Sequence, residues 1–188
     1  MTQQELHEVA QGIRSPEQVS MTLAEFLKYD VDGYEYVKGE LVPMSPPTRI
    51  HSKVSVKVIR YLDRHVEENQ LGEVHVEATF QVGERGLKPD VAFMPTSQLD
   101  GDENTGFLIP PDLAIEVLSP TDVQWRVVDK AFAYLNAGTR FVWVLDPRSK
   151  TVTIYRSEND IVLLMREDTL TGEDVVPGFT CQVSQLFE

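Results

Sequence analysis

The segment Leu113-Ala114-Ile115-Glu116-Val117-Leu118 constrains the fold more than any other. Read as a strand, it is apolar on both alternating faces apart from one carboxylate. Glu116 shares a face with Ala114 and Leu118, while Ile115 and Val117 occupy the other. A strand apolar on both faces is central in a sheet covered on both sides, which places the chain among layered α/β folds. An ionised carboxylate in such a strand costs several kcal/mol unless a cation or a proton accompanies it. A structural lysine or arginine, or a functional cation, would meet that need.

The flanking sequence supplies the other layers. Thr22-Leu23-Ala24-Glu25 is a capping-box pattern and predicts a short helix ending near Asp30. Tyr34 to Met44 reads as a hairpin turning at Lys38-Gly39. Val54, Val58, Leu62 and Val66 recur at helical spacing and predict a helix from about His51 to Asn69. Glu73 to Val82 alternates polar and apolar and predicts one strand. Lys88 to Met94 reads as a short strand, and 95–111 as a loop with room for one helical turn. Ser119-Pro120-Thr121-Asp122 opens a predicted helix that ends at Ala137-Gly138. Phe141 to Leu145 is a further strand, Lys150 to Arg156 pairs with Asp160 to Arg166, and the end of the chain is turn-rich. Hairpins and helix crossovers both occur, so the sheet is mixed. Residues 1–20 are polar and weakly periodic and read as a mobile arm ahead of one domain over 21–188.

The formal charge of −13 over 188 residues removes the electrostatic footprint of a generic nucleic-acid binder, though a local basic patch stays possible. One cysteine, Cys181, rules out an intrachain disulfide and a cysteine-built zinc site. Neither a long apolar span nor a secretory signal is visible, so a cytoplasmic domain is expected.

A second acid stands out. Asp90 follows Pro89 at the start of the apolar run Val91-Ala92-Phe93-Met94. Proline is tolerated at strand starts and bulges, and bulges re-aim side chains beside sites; turn chemistry alone also accounts for a Pro-Asp pair. Asp90 and Glu116 lie on successive predicted strands, which can bring them within about 5 Å. Two acids that close repel unless a cation sits between them, and carboxylate oxygens with open positions suit a hard divalent ion such as Mg²⁺. Lys130, at the flank of the apolar face Val127, Ala131, Tyr134 and Leu135 of the next helix, either snorkels to solvent or delivers its ammonium to the end of the sheet.

Several stretches together resemble the Uma family of restriction endonucleases. They are Gly39-Glu40-Leu41-Val42-Pro43-Met44-Ser45-Pro46, His51 opening a helix, Lys88-Pro89-Asp90-Val91-Ala92, Ile115-Glu116-Val117-Leu118-Ser119-Pro120, Lys130 with Tyr134, and Trp143-Val144-Leu145-Asp146-Pro147. That bacterial family belongs to the restriction-endonuclease-like PD-(D/E)XK superfamily. The resemblance covers about residues 20–187. It implies an α/β fold with a restriction-endonuclease-like mixed central sheet flanked by helices, preceded by an N-terminal helix and β-hairpin. It implies Mg²⁺, with Mn²⁺ as a substitute, held by Asp90, Glu116 and the backbone carbonyl of Val117. It implies hydrolysis of DNA phosphodiester bonds. The superfamily's lysine would stand two residues after Glu116, where this chain has Leu118; the resemblance passes its role to Lys130.

His51 is a candidate to donate to a phosphate or hold a water, and Glu40 to be a further acid at the site; a surface histidine and an exposed turn acid are the plain alternatives. Lys53, Lys57, Arg60 and Arg64 share one helical face. That stripe either holds a DNA backbone, weakly and with strong salt dependence, or is a solvated face balancing nearby acids. Two rival functions remain: a decayed nuclease fold acting as a DNA- or protein-binding module, and a metal-dependent hydrolase of a small phosphate compound. Cutting both strands of a duplex calls for two sites, hence a homodimer.

Overall fold

The computed structural model describes residues 21–188, so the proposed arm at 1–20 lies outside the described residues. A six-stranded sheet forms the centre, in the order β10-β9-β8-β7-β6-β3. Its strands are β3 (Gly72–His75), β6 (Val91–Pro95), β7 (Leu113–Val117), β8 (Phe141–Asp146), β9 (Thr151–Ser157) and β10 (Asp160–Leu164). β7 runs parallel to β8 and antiparallel to β6, so the sheet is mixed, with the doubly apolar strand in its interior.

The period-2 pattern sorts its side chains onto two faces. Phe93, Ile115, Trp143 and Ile154 point to one, where helix α2 (Arg49–Glu68) lays down Val54, Val58, Leu62 and Val66. Ala92, Ala114, Val142 and Val144 point to the other, against Ala131 and Tyr134 of helix α3 (Gln124–Ala137). The small residues Ala92 and Ala114 make room for the Tyr134 ring, which is fully buried. A C-terminal hairpin, β11 (Thr169–Thr171) with β12 (Thr180–Gln182), and helix α4 (Val183–Phe187) close the α2 side through Leu170, Phe179 and Leu186.

A second sheet, in the order β2-β1-β5-β4, sits beside the first. It contains β1 (Tyr34–Val37), β2 (Glu40–Pro43), β4 (Phe80–Val82) and β5 (Arg85–Leu87). The β1–β2 turn is Lys38-Gly39, with φ of 52° and 94°, the left-handed pair that a two-residue hairpin requires. Helix α1 (Leu23–Tyr29) is capped at Thr22 by both halves of the capping box and ends on left-handed Asp30. It presses Phe26 against Gly86 of β5, where a Cβ would lie 2.5 Å from Phe26 Cδ1.

Three expectations need correction. The alternating run from Glu73 to Val82 is not one strand. It breaks at Val76 to Thr79, with Glu77 in the left-handed region (φ 52°), and its halves, β3 and β4, belong to different sheets. Thr79 donates a 2.6 Å hydrogen bond to Asp30 there, which holds the crossing. Lys88 is not in a strand; Lys88-Pro89-Asp90 is the link by which the chain passes from the second sheet to the first. Helix α3 begins at Gln124, not at Ser119, because Asp122 turns back to accept the Ser119 amide at 2.7 Å.

Candidate active site

β6 and β7 pair with Val91 opposite Ile115 and Ala92 opposite Ala114. Carried one step further, that register sets Asp90 opposite Glu116, at the edge where β6 begins and β7 ends. Pro89 cannot donate to a ladder, so the strand starts only after Asp90. The Asp90 carboxylate is therefore free to turn inward, and its Oδ2 accepts the Val117 amide at 2.6 Å. Its Oδ1 lies 3.0 Å from His51 Nε2.

Glu116 points to the α3 side. Its carboxylate receives Lys130 Nζ at 2.8 Å on Oε1 and 3.0 Å on Oε2, and the Tyr134 hydroxyl at 3.1 Å on Oε1. Tyr134 is one turn beyond Lys130 on α3, so both reach the same carboxylate. The same ammonium lies 2.8 Å from Glu35 Oε1, on β1, and Glu35 in turn accepts the Lys88 amide at 2.9 Å. One lysine thus stands between two carboxylates that come from two different sheets.

The charge balance decides the protonation. Burial penalises the Lys130 ammonium, but Glu116 and Glu35 outweigh that penalty and hold it above its ordinary value. A single ammonium does not neutralise three neighbouring acids. Burial first, then the charges of Asp90 and Glu35, push the Glu116 carboxyl up to about 8, with Lys130 opposing the rise. Glu116 therefore takes up a proton more readily than an ordinary carboxylate does, and further positive charge would oppose that. Its hydrogen bond to Asp90 raises His51, while burial opposes the change. His51 Nδ1 is buried with no partner among the described residues, so charging the ring leaves a bare N–H.

These groups line a cleft of about 180 Å³. Its far wall is the loop before α3, where Asp122 also accepts the Ser45 hydroxyl at 2.9 Å and so ties β2's exit to that loop. Arg126 and Val123 complete the mouth.

The structure brings together Asp90, Glu116, Val117, Lys130 and His51. It does not bring Glu40. Glu40 pairs with Val37 next to the hairpin turn, is exposed, and lines no part of the cleft. Two residues back along the same face of the hairpin, Glu35 occupies the place proposed for it. His51 is not an exposed donor: it is buried and its Nε2 is engaged by Asp90. The basic stripe lies elsewhere. Lys53, Lys57 and Arg60 are about 120–180° around α2 from the buried face that carries His51, and Lys53 and Lys57 line a separate shallow groove. Sequence reasoning missed Glu35, Lys88 and Arg126. For Glu35 there was a signal, since a two-residue turn at Lys38-Gly39 fixes which residues of β1 share a face.

Among the described residues no three histidine, cysteine, aspartate or glutamate side chains are disposed as a metal-binding group by themselves. The donor chemistry nevertheless suits a hard divalent ion, provided a backbone oxygen completes the set. Asp90 and Glu116 line the same cleft at one end of the sheet, and the Glu116 carboxyl is raised first by burial and then by the charges of Asp90 and Glu35, which a cation would offset.

The fold is that of a nuclease-like α/β protein. A solved structure described as "a putative nuclease belonging to DUF820", from Anabaena variabilis ATCC 29413, matches with a TM-score of 0.78 over 89% of this chain and 97% of that one, at 24% identity. Residues 23–184 match the Uma2 family, described as "Putative restriction endonuclease", and the chain belongs to that family. No curated protein sequence matches it.

Proposed function

We propose that this protein is a metal-dependent endodeoxyribonuclease of PD-(D/E)XK type that hydrolyses DNA phosphodiester bonds. One observation carries the reading: the register of β6 and β7 sets Asp90 opposite Glu116, and α3 sets Lys130 against the same carboxylate. Asp90 and Glu116, with the Val117 carbonyl, are the residues that would hold Mg²⁺ or Mn²⁺. A divalent ion there would acidify a water and neutralise charge at the scissile phosphate.

The chain's own groups do the rest. Lys130 fills the role that Leu118 leaves open: its ammonium is fixed from two sides and points at the cleft, where it donates to the oxygen on which charge develops. Glu35 keeps that ammonium positioned when Glu116 turns its oxygens elsewhere. Tyr134 donates to Glu116 and orients it. His51 holds the Asp90 carboxylate in one rotamer. Positive charge arriving in the cleft favours the ionised form of Glu116. Because both of its oxygens contact Lys130, a bound cation must share or displace that contact. That closed Lys130–Glu116 contact is also the feature favouring the rival reading of a decayed fold that only binds.

The test is cleavage of supercoiled plasmid and of end-labelled DNA with Mg²⁺, Mn²⁺ or chelator. The nuclease reading expects metal-dependent nicking or cutting that Asp90→Ala and Glu116→Ala abolish. DNA binding without cleavage under any of these conditions favours the binding module. Turnover of a small phosphodiester without DNA cleavage favours the small-substrate hydrolase.

A further inference from the structure

Trp125, in the first turn of α3, is a large exposed apolar side chain that does not itself line the cleft but is flanked by Val123 and Arg126, which do. It is 65% exposed, and its neighbour Val123, which lines the cleft mouth, is 47% exposed. The chain's other tryptophan, Trp143, is 1% exposed in the core, so the indole of Trp125 is not there to fill the fold. The Arg126 guanidinium lies 5.5 Å from the centre of the Trp125 ring. Arg126 also lines the cleft, one helical turn before Lys130 on the same face. The two cations differ in one respect. Lys130 is committed to Glu35 and Glu116, whereas Arg126 makes no ion pair among the described residues. In a chain of charge −13, an uncommitted arginine at the mouth of an acidic cleft is a place for an anion.

We infer that Trp125 and Arg126 form a clamp for a nucleotide next to the scissile phosphate, with the base stacked on the indole and its phosphate on the guanidinium. This rests on the nuclease reading and narrows its substrate class. A base in the middle of a duplex has both faces covered by its neighbours. An indole can stack only on a base that is unpaired and exposed, as in a single strand, a frayed end or a flipped nucleotide. The clamp therefore favours DNA with unstacked bases over continuous duplex. It also accounts for binding to so acidic a protein, because stacking needs no basic surface and the basic stripe on α2 lies away from the cleft.

Tryptophan fluorescence tests this without any cleavage. With Trp143 buried, acrylamide quenching reads Trp125 alone. A labelled single-stranded oligonucleotide of about a dozen residues, within the usual span of a stacking groove, is added without divalent ion. The same sequence as duplex, and heparin, a polyanion without bases, are added in parallel. The single strand is expected to shield Trp125 from acrylamide and to bind more tightly than the duplex. Trp125→Ala is expected to weaken single-strand binding, read by anisotropy, about tenfold or more, with Trp125→Phe retaining part of it and heparin binding unmoved. If anisotropy shows the single strand bound while Trp125 stays open to acrylamide and Trp125→Ala binds as tightly, the clamp is wrong and the nuclease reading stands. If Trp125→Ala instead elutes at half the parent's mass, the indole belongs to an interface between copies and the clamp is again wrong. If the single strand does not bind, the clamp is wrong, and the nuclease reading is then decided separately by the cleavage assay with Mg²⁺ or Mn²⁺.

Discussion

Lys130 is where the site's chemistry and its stability meet. Among the described residues its ammonium is the one cation within bonding distance of both Glu35 and Glu116. Lys130→Ala is expected to lower metal-dependent cleavage by a factor corresponding to about 3 kcal/mol or more, the scale of a lost electrostatic donor. Lys130→Arg keeps the charge but not the compact ammonium and is expected to rescue poorly, as initial rates on labelled DNA would show. Glu35→Gln gives a sharper test, since it removes a like charge from Glu116 and frees Lys130 to serve it alone. The carboxyl pKa of Glu116, followed by NMR, is expected to fall from about 8. An unchanged value would remove Glu35 from the account. At this scale the sequence was legible where a residue breaks a pattern. Glu116 interrupts an apolar strand, and an acid there requires a cation, which pointed to Lys130. Glu35 breaks no pattern, because an acid on a short hairpin strand looks solvated until a second sheet is known to face it. Glu40 was named in its place; both lie on one face of the hairpin, and only the packing of the second sheet decides which one meets the cleft.

Elements follow the same division. Helices α1 and α2, the Lys38-Gly39 hairpin and the central strand β7 were readable because each is set by local spacing, a cap or a turn residue. The break between β3 and β4 was not, because period-2 alternation continues across it and only the Thr79–Asp30 hydrogen bond reveals the crossing. The late start of α3 was likewise hidden, since Asp122 caps a turn by accepting the Ser119 amide and does not cap the helix. Gly86 shows how the second sheet is held in position to present Glu35. Gly86→Ala places a methyl against the Phe26 ring, and overpacking of that kind costs about 1–3 kcal/mol. A lower thermal midpoint is expected, and the double variant Gly86→Ala with Phe26→Leu should recover part of the loss. A midpoint equal to the parent's would mean that α1 does not bear on the sheet.

At the scale of the whole molecule, stability should depend on pH in a direction the site dictates. The folded pKa of Glu116 is raised above its unfolded value, so the folded state binds that proton more tightly, and stability falls as pH rises from about 4.5 to about 8. His51, also raised, loses its contribution in the same direction above its unfolded value of 6.5. His75, which burial lowers, acts oppositely and only on the acid side of 6.5. The metal-free protein is therefore expected to lose stability between pH 6.5 and 8, with Glu116 contributing at most about 1.4 kcal/mol per pH unit. Thermal melts across that range would show it, and Glu116→Gln should flatten the slope. Among the described residues no helix is long and apolar enough to cross a membrane.

The proposed divalent-cation site lies among the acids at the end of β6 and β7. Calorimetric titration of Mn²⁺ into the metal-free protein at pH 7.5, beside Asp90→Asn, tests it most directly. Saturable binding is expected in the parent, with a heat that changes with the buffer's ionisation enthalpy to the extent that the raised Glu116 carboxyl is protonated before the cation enters. Asp90→Asn is expected to lose this binding. A parent isotherm with no heat beyond dilution, or one that Asp90→Asn reproduces, would contradict it.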